Sequence, residues 1–402
     1  MPKYLILTCV SLLIYCNIRA AESDSLKKQL ISKGFNNVAI VVDNNDLLVT
    51  FENSIYRFEP AAIKEVMNLS LPFCIYKSRL IIVVQKNKLP VVAIEINLFD
   101  YQKAISDSLG MSFNYIKASY NCDEFWSKFK NASKSNSSSL KTDVVVGVDM
   151  LLILGIWSNP IMPQFNLGAS FNTSLWQGMT ITVQPVYEIY NEIVTVYPVL
   201  DVFRPGLITA NQIIKLPANI FVSATIGTFL KYRYGFDLET KKFSSKGNWA
   251  VGLRCGYTGA WLFEDKYLDY WTLDEINVTM SGEYRFQSVD FTTRVTVGKF
   301  VYDKGVRIDF FRQFGEINIG FFVEKTTTTK NVGFNFSLPI FPSKYYKYPY
   351  IRVRPSENFS WEYVTPYIPI TNAVIYQTGR EIDNVFKNLN PGFIVKYLRI
   401  EN

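Results

Sequence analysis

Ile276-Asn277-Val278-Thr279-Met280-Ser281-Gly282-Glu283-Tyr284-Arg285-Phe286 decides how this chain folds. Ile276, Val278, Met280, Tyr284 and Phe286 fall on one face of an extended strand, and Asn277, Thr279, Ser281, Glu283 and Arg285 on the other. Strand side chains alternate faces with a period of two, so this segment separates an oily surface from a wet one.

The same alternation recurs on both sides of it. Upstream, Val144 to Ile156, Phe165 to Phe171, Met179 to Val183, Ile220 to Ile226 and Trp249 to Tyr257 repeat it. Downstream come Phe291 to Val297, Val306 to Phe310, Ile317 to Val323 and Val332 to Leu338. Weaker strands are expected at Leu207 to Lys215, Tyr234 to Thr240 and Phe359 to Thr365. A tilted strand of about ten residues crosses a bilayer. The pattern therefore predicts a mainly β fold, an antiparallel transmembrane β-barrel of about 12 strands with lipid outside and a polar lumen inside. A soluble β-sandwich also alternates. The second face here is rich in Gly, Ser, Thr, Asn and Arg, which have little bulk to pack a second sheet.

The N-terminus reads as an export signal. Lys3 precedes an apolar run from Tyr4 to Tyr15, then Ile18-Arg19-Ala20 offers a small-residue cleavage site, so residues 1–20 are a signal peptide. Bulky Tyr15 before Cys16 disfavours lipoprotein acylation. Residues 23–107 read as a small periplasmic α+β domain. A short helix over Ser25 to Lys33 stops at Gly34. Asn44-Asn45-Asp46 turns one hairpin and Lys86-Asn87-Lys88 another, with a helix from Pro60 to Leu69 between them. Residues 108–142, with the polar run Asn131 to Ser139, read as a linker or exposed loop. Residues 143–365 carry the barrel. Residues 366–402 form a tail in which Thr378 to Asn388 is a short helix, with Thr378 and Glu381 as a capping box; it would plug or cap the barrel.

Composition agrees with this organisation. Aromatics make up 15% of the chain, as suits girdles at membrane interfaces. The formal charge of +7 is diffuse, with no basic run, which argues against nucleic acid as a partner and permits anionic lipid or polysaccharide. Of five cysteines, Cys74, Cys122 and Cys255 lie beyond the signal; at most one bond, Cys74 to Cys122, could form. The chain has no histidine, which removes a His general base, a Ser-His-Asp triad and His-ligated metal. Carboxylate-only glycoside chemistry passes that test. No Asp/Glu constellation stands out for it, however, and no cofactor motif is present.

Several strings occur in a particular order. Gly34-Phe35-Asn36-Asn37-Val38 leads to Phe51-Glu52-Asn53 and Tyr56-Arg57. Then follow Ser174-Leu175-Trp176-Gln177-Gly178, Arg204-Pro205-Gly206, Asn211-Gln212, Lys215-Leu216-Pro217 and Arg233-Tyr234-Gly235. Trp249-Ala250-Val251-Gly252, Gly298-Lys299-Phe300, Asp303-Lys304-Gly305 and Gly333 to Pro339 complete the set. Together they resemble the YjbH-type family of exopolysaccharide- and capsule-associated outer-membrane β-barrel proteins, over roughly Ser25 to Pro339. The resemblance implies a place in the bacterial outer membrane and a role in polysaccharide assembly or export, with export components as partners. Larger family members carry two barrels; this chain resembles the periplasmic domain and the second barrel. No catalytic residues come with the resemblance.

The candidate site residues follow from the face they occupy. Arg254, Glu283, Arg285, Arg294, Arg307 and Asp309 point into the expected lumen, where they either guide an acidic glycan or form a salt-bridged network. Arg204 sits at a strand end beside turn-forming Pro205 and Gly206. Glu52, Asn53, Tyr56 and Arg57 follow a strand of the small domain, as a partner-binding edge or as an anchor of the hairpin to the next helix. Trp157, Trp176, Trp261, Tyr267, Tyr270 and Trp271 suit an interfacial girdle or sugar stacking. The reading is a non-enzymatic barrel that binds and guides polysaccharide; the alternative is a general porin or structural outer-membrane protein.

Overall fold

The strand Glu275–Phe286 forms as its alternation requires, and its apolar side chains are the exposed ones. Met280 is 56% exposed while its neighbours Asn277 and Thr279 are 1% and 4% exposed. That inversion holds along most of the chain's C-terminal part. The computed structural model describes residues 23–106, 114–156, 159–193, 201–347, 349–365 and 375–399. The signal peptide read over residues 1–20 and Trp157 lie outside them.

The N-terminal unit begins with helix α1 (23–33). Gly34 ends it with φ +101°, a left-handed position where glycine carries no Cβ penalty. Strands β1 (Asn36–Asp43) and β2 (Asp46–Glu52) form a hairpin, followed by helix α2 (Glu59–Ser70) with Pro60 in its first turn. Strands β3 (Arg79–Lys86) and β4 (Leu89–Asn97) form a second hairpin. Its turn residues Asn87 and Lys88 both take positive φ, the geometry that matches the twist of a two-residue turn. Helix α3 (Leu98–Ser106), strand β5 (Ile116–Ser119) and helix α4 (Asp123–Ser127) complete the unit. The five strands lie in sequence order, β2 parallel to β3 and the rest antiparallel.

The stretch 108–142, read as a linker, therefore contributes an edge strand and a helix. Tyr115, Ile116, Tyr120, Cys122, Phe125 and Phe129 are buried and hold it to the sheet. Its Ser-rich run is not an open loop either. Ser138 is buried and donates to Glu52 at 3.0 Å, because a buried carboxylate needs donors and small hydroxyls can reach it.

The C-terminal part is one large sheet. Its strands are β6 (Thr142–Ile156), β7 (Asn159–Ser174), β8 (Met179–Asn191), β9 (Phe203–Leu216), β10 (Ile220–Phe229), β11 (Arg233–Phe243) and β12 (Trp249–Glu264). A short β13 (Tyr267–Tyr270) pairs only with β12. Then come β14 (Glu275–Phe286), β15 (Phe291–Lys299), β16 (Lys304–Phe314), β17 (Ile317–Thr326), β18 (Lys330–Pro339), β19 (Ile351–Pro355) and β20 (Asn358–Thr365). β6 to β12 and β14 to β18 form an unbroken antiparallel meander, strand beside next strand.

One segment meets both edges of this sheet. β19 pairs with β6, in parallel, and β20 pairs with β18. Between them, Ser356 N donates to Val146 O at 2.8 Å, and Glu357 O accepts from Ile340 N at 3.0 Å. The parallel pair has a topological cause. Twelve alternating strands end pointing opposite to the first, so the next segment runs the same way as β6. The even count of about 12 is met by the meander alone; β13, β19 and β20 bring the sheet to 15 strands.

The tail carries α5 (Ile382–Val385) and α6 (Pro391–Leu398). The helix expected over Thr378 to Asn388 is thus one turn long. Thr378 N and Oγ1 both donate to Glu381 Oε1, but Glu381 is itself the N-cap and the helix starts after it. Ile382, Phe386, Leu389 and Ile394 join the core of the small domain and the sheet residues Ile213, Phe221 and Phe243 in a single apolar cluster. The tail is thereby clamped between the domain and one end of the sheet. Among the described residues no helix is long and apolar enough to cross a membrane, which says nothing of a β-barrel. Cys74, Cys122 and Cys255 are free thiols.

Candidate functional site: the polar face of the large sheet

The polar face is built by register. Glu283 on β14 lies opposite Arg294 on β15, which lies opposite Asp309 on β16. Glu239 on β11 faces Arg254 on β12, and Arg307 on β16 faces Glu324 on β17. Opposite charges directly across neighbouring strands attract, so the period-two pattern of each strand becomes a ladder of alternating sign.

The contacts follow this ladder. Arg294 Nη2 meets Glu283 Oε2 at 2.8 Å, and Lys241 Nζ meets Glu283 Oε1 at 3.0 Å. Arg254 Nε donates to Asp237 Oδ2 at 2.9 Å. Arg307 lies 2.9 Å from Asp309 and 2.8 Å from Glu362, with its guanidinium 3.9 Å from the centre of the Phe322 ring. Arg285 donates to Asp290 and Gln313, both at 2.9 Å. Arg204 opens β9 and is 5% exposed; it pairs with Glu188 at 3.3 Å and donates to Asn166 at 3.0 Å. All six expected inward charges and Arg204 thus lie on the polar face with protein partners.

The tail inserts into this ladder. Asp383 on α5 bridges Lys241 and Arg294, the latter at 2.6 Å. Burial opposes ionisation of Asp383, but Arg294 and Lys241 outweigh it and hold the carboxyl below the usual carboxylate range. The Tyr376 hydroxyl lies 2.8 Å from Asp237 and 2.9 Å from Asn277, and Arg254 Nη2 donates to the Tyr376 carbonyl at 3.2 Å. Ile382 N donates to Glu239 at 2.9 Å. A cavity of 470 Å³ remains between α5 and β14–β18, with Glu283, Arg294, Glu362, Asp383 and Lys387 on its walls.

The small-domain candidates make intramolecular joints. Glu52 is a buried acceptor for Asn37, Ser138 and the backbone N of Asn87, the last at 2.8 Å. Asn53 accepts from the backbone N of Ile55 and Tyr56 and shapes the turn after β2. Tyr56 stacks on Phe35 with ring centres 6.2 Å apart and bridges to Lys344. Arg57 makes a two-pronged pair with Glu316, between β16 and β17, at 2.6 and 2.9 Å, and those bonds hold its guanidinium above the ordinary value. Tyr56 and Arg57 thus fasten the domain to the end of the sheet, while Glu52 and Asn53 make their contacts within the domain.

Sequence reasoning missed Asp237, Glu239 and Lys241, although their spacing along β11 is the same period of two. It also missed Asp383 and Tyr376, whose positions depend on where the tail docks. No local pattern encodes that.

No protein-family model and no curated protein matches this chain. Among solved structures, OmpTdeltaL8, a loop L8 deletion mutant of OmpT, an outer membrane protein of Vibrio cholerae, aligns with 48% of this chain and 84% of its own. The identity is 10% and the TM-score 0.25, a likeness too slight to argue from.

Proposed function

We propose that this chain is a bacterial outer-membrane β-barrel protein with a periplasmic N-terminal domain, in which the large sheet closes on itself through the segment 351–365. The observation that carries the reading is the inverted face pattern: rows of exposed Val, Ile, Leu, Phe and Tyr on one face, buried charge on the other. Water-soluble monomers rarely expose apolar surface on that scale, and lipid is the solvent that suits it. The alternating ladder and the tail then fill the lumen. A lumen filled this way argues against an open general porin and for a plugged station that docks other components.

The polysaccharide role rests on the ordered strings that resemble the YjbH-type family. Under this reading the barrel anchors an exopolysaccharide or capsule assembly or export step by binding and guidance, with no bond chemistry. A clean deletion tests it, with polysaccharide quantified on the cell surface, in the periplasm and in the medium. Loss from the surface with periplasmic accumulation is the expected result. Unchanged polysaccharide in all three fractions would leave an outer-membrane barrel with a structural role.

A further inference from the structure

A second cavity, of 250 Å³, lies where the small domain, the tail and the β6–β8 end of the sheet meet. Five cations line it against three carboxylates. Four of those cations are occupied. Lys86 pairs with Glu59 at 2.7 Å, and Arg352 and Arg354 share Asp143 at 2.8 and 2.5 Å. Lys141 donates to the side-chain oxygens of Asn36 and Asn136 at 2.8 and 2.7 Å.

Arg380 differs. Its Nη2 donates to Thr180 Oγ1 at 2.6 Å, and among the described residues no carboxylate lies within ion-pair distance of it. Its Nε is buried with no hydrogen-bond partner. A buried charged donor left unsatisfied costs roughly 1–3 kcal/mol or more, so such groups call for a reason. Burial pushes the guanidinium down to about 10, against the opposing pull of Glu52, Glu381 and Glu357. Thr180 is itself 2% exposed and, while accepting from Arg380, keeps its own hydroxyl proton to donate.

We infer that this junction cavity is an oxyanion-binding site. The Arg380 guanidinium is the principal donor, with the Thr180 hydroxyl beside it, and the ligand is a carboxylate, phosphoryl or sulfuryl group. Guanidinium binds such groups through parallel N–H bonds, and Arg380 lines the cavity. The donors come from the tail and β8, so a bound anion fastens the tail in place. The inference does not rest on the polysaccharide role and stands or falls separately from it.

The test is calorimetric titration of the full-length protein in detergent micelles at fixed ionic strength. Sodium phosphate, sulfate, acetate and glucuronate are the probes and chloride is the reference. One-to-one saturable binding of at least one oxyanion is expected, absent for chloride and at least about ten-fold weaker in Arg380→Gln. The tetrahedral and planar probes separate the two ligand shapes. Thr180→Val should weaken binding by less, and it carries the test if Arg380→Gln does not fold. Bound anion should also slow proteolysis of the tail. No saturable oxyanion binding in the wild type would overturn the inference, as would binding that both variants leave unchanged.

Discussion

The small domain and the large sheet sort the same residue types in opposite directions. In the domain, Val49, Ile82, Val84 and Ile94 are fully buried and the charged residues stay mostly at the surface. In the sheet, Val278, Met280, Phe321 and Val323 are exposed, and Asp237, Lys241 and Asn277 are buried. Both regions obey one rule, that each face matches what it meets. Under the proposed reading the domain meets water on its outside and the sheet meets hydrocarbon there. Both can sit in one chain because the tail packs an apolar cluster between them and ion pairs such as Arg57 with Glu316 join them.

The largest effect is expected from a charge in the domain core. Ile82→Asp should cost more than about 4 kcal/mol, enough to unfold a small domain, because it buries an unpaired carboxylate. Limited proteolysis and denaturant melts measure it. A sharper probe is Met280→Arg on the apolar face. In a water-facing protein an exposed substitution stays within about 0.5 kcal/mol. Facing a bilayer core it should cost about 2–4 kcal/mol, measured by reversible unfolding in lipid vesicles. A neutral Met280→Arg in vesicles would break the comparison, since the two regions would then share one solvent.

The face pattern was legible because it is local. Most strands that alternate in sequence alternate in space, β6 being an exception with Val144 buried and Asp149 exposed, and Gly34, Asn44 and Asn87 turn the chain where their backbone preferences allow. What was not legible is non-local. β5 and α4 hid in a polar stretch because only a few apolar residues, Ile116 and Phe125 among them, mark them. The return of segment 351–365 to both edges follows from strand parity. Asp383 reaches Lys241 across 142 positions, and nothing near either residue announces the other. Most of the site charges were found where a strand's alternation was strong; those on the weaker strand β11, Asp237, Glu239 and Lys241, were missed, as were Asp383 and Tyr376, which the tail supplies.

That missed contact yields the next test. Asp383→Asn removes the carboxylate shared by Lys241 and Arg294 while keeping its shape. Asp383 is about a third exposed, so the loss should be moderate, about 1–3 kcal/mol, and coupled to Arg294→Gln in a double-mutant cycle. The tail should become the preferred site of proteolysis while the sheet stays intact. Equal protease resistance in the variant would mean that apolar packing alone holds the tail.

The smallest effect compares two thiols. Burial pushes the Cys74 thiol in the domain up to about 12. An unfolded thiol ionises near about 8.5, so the raised value means stability is fully present below that pH and declines as pH rises from there towards 12. Native Cys74 should therefore resist alkylation at neutral pH and react only after unfolding. Cys255 lies on the apolar face of β12, between the exposed Leu253 and Tyr257. In vesicles it should react with a lipophilic maleimide and not with a charged thiosulfonate; in water both reagents would reach it. Labelling by the charged reagent in vesicles would place that face in water and overturn the reading of the sheet. Labelling of native Cys74 by either reagent would instead show that the domain opens locally, with the sheet untouched.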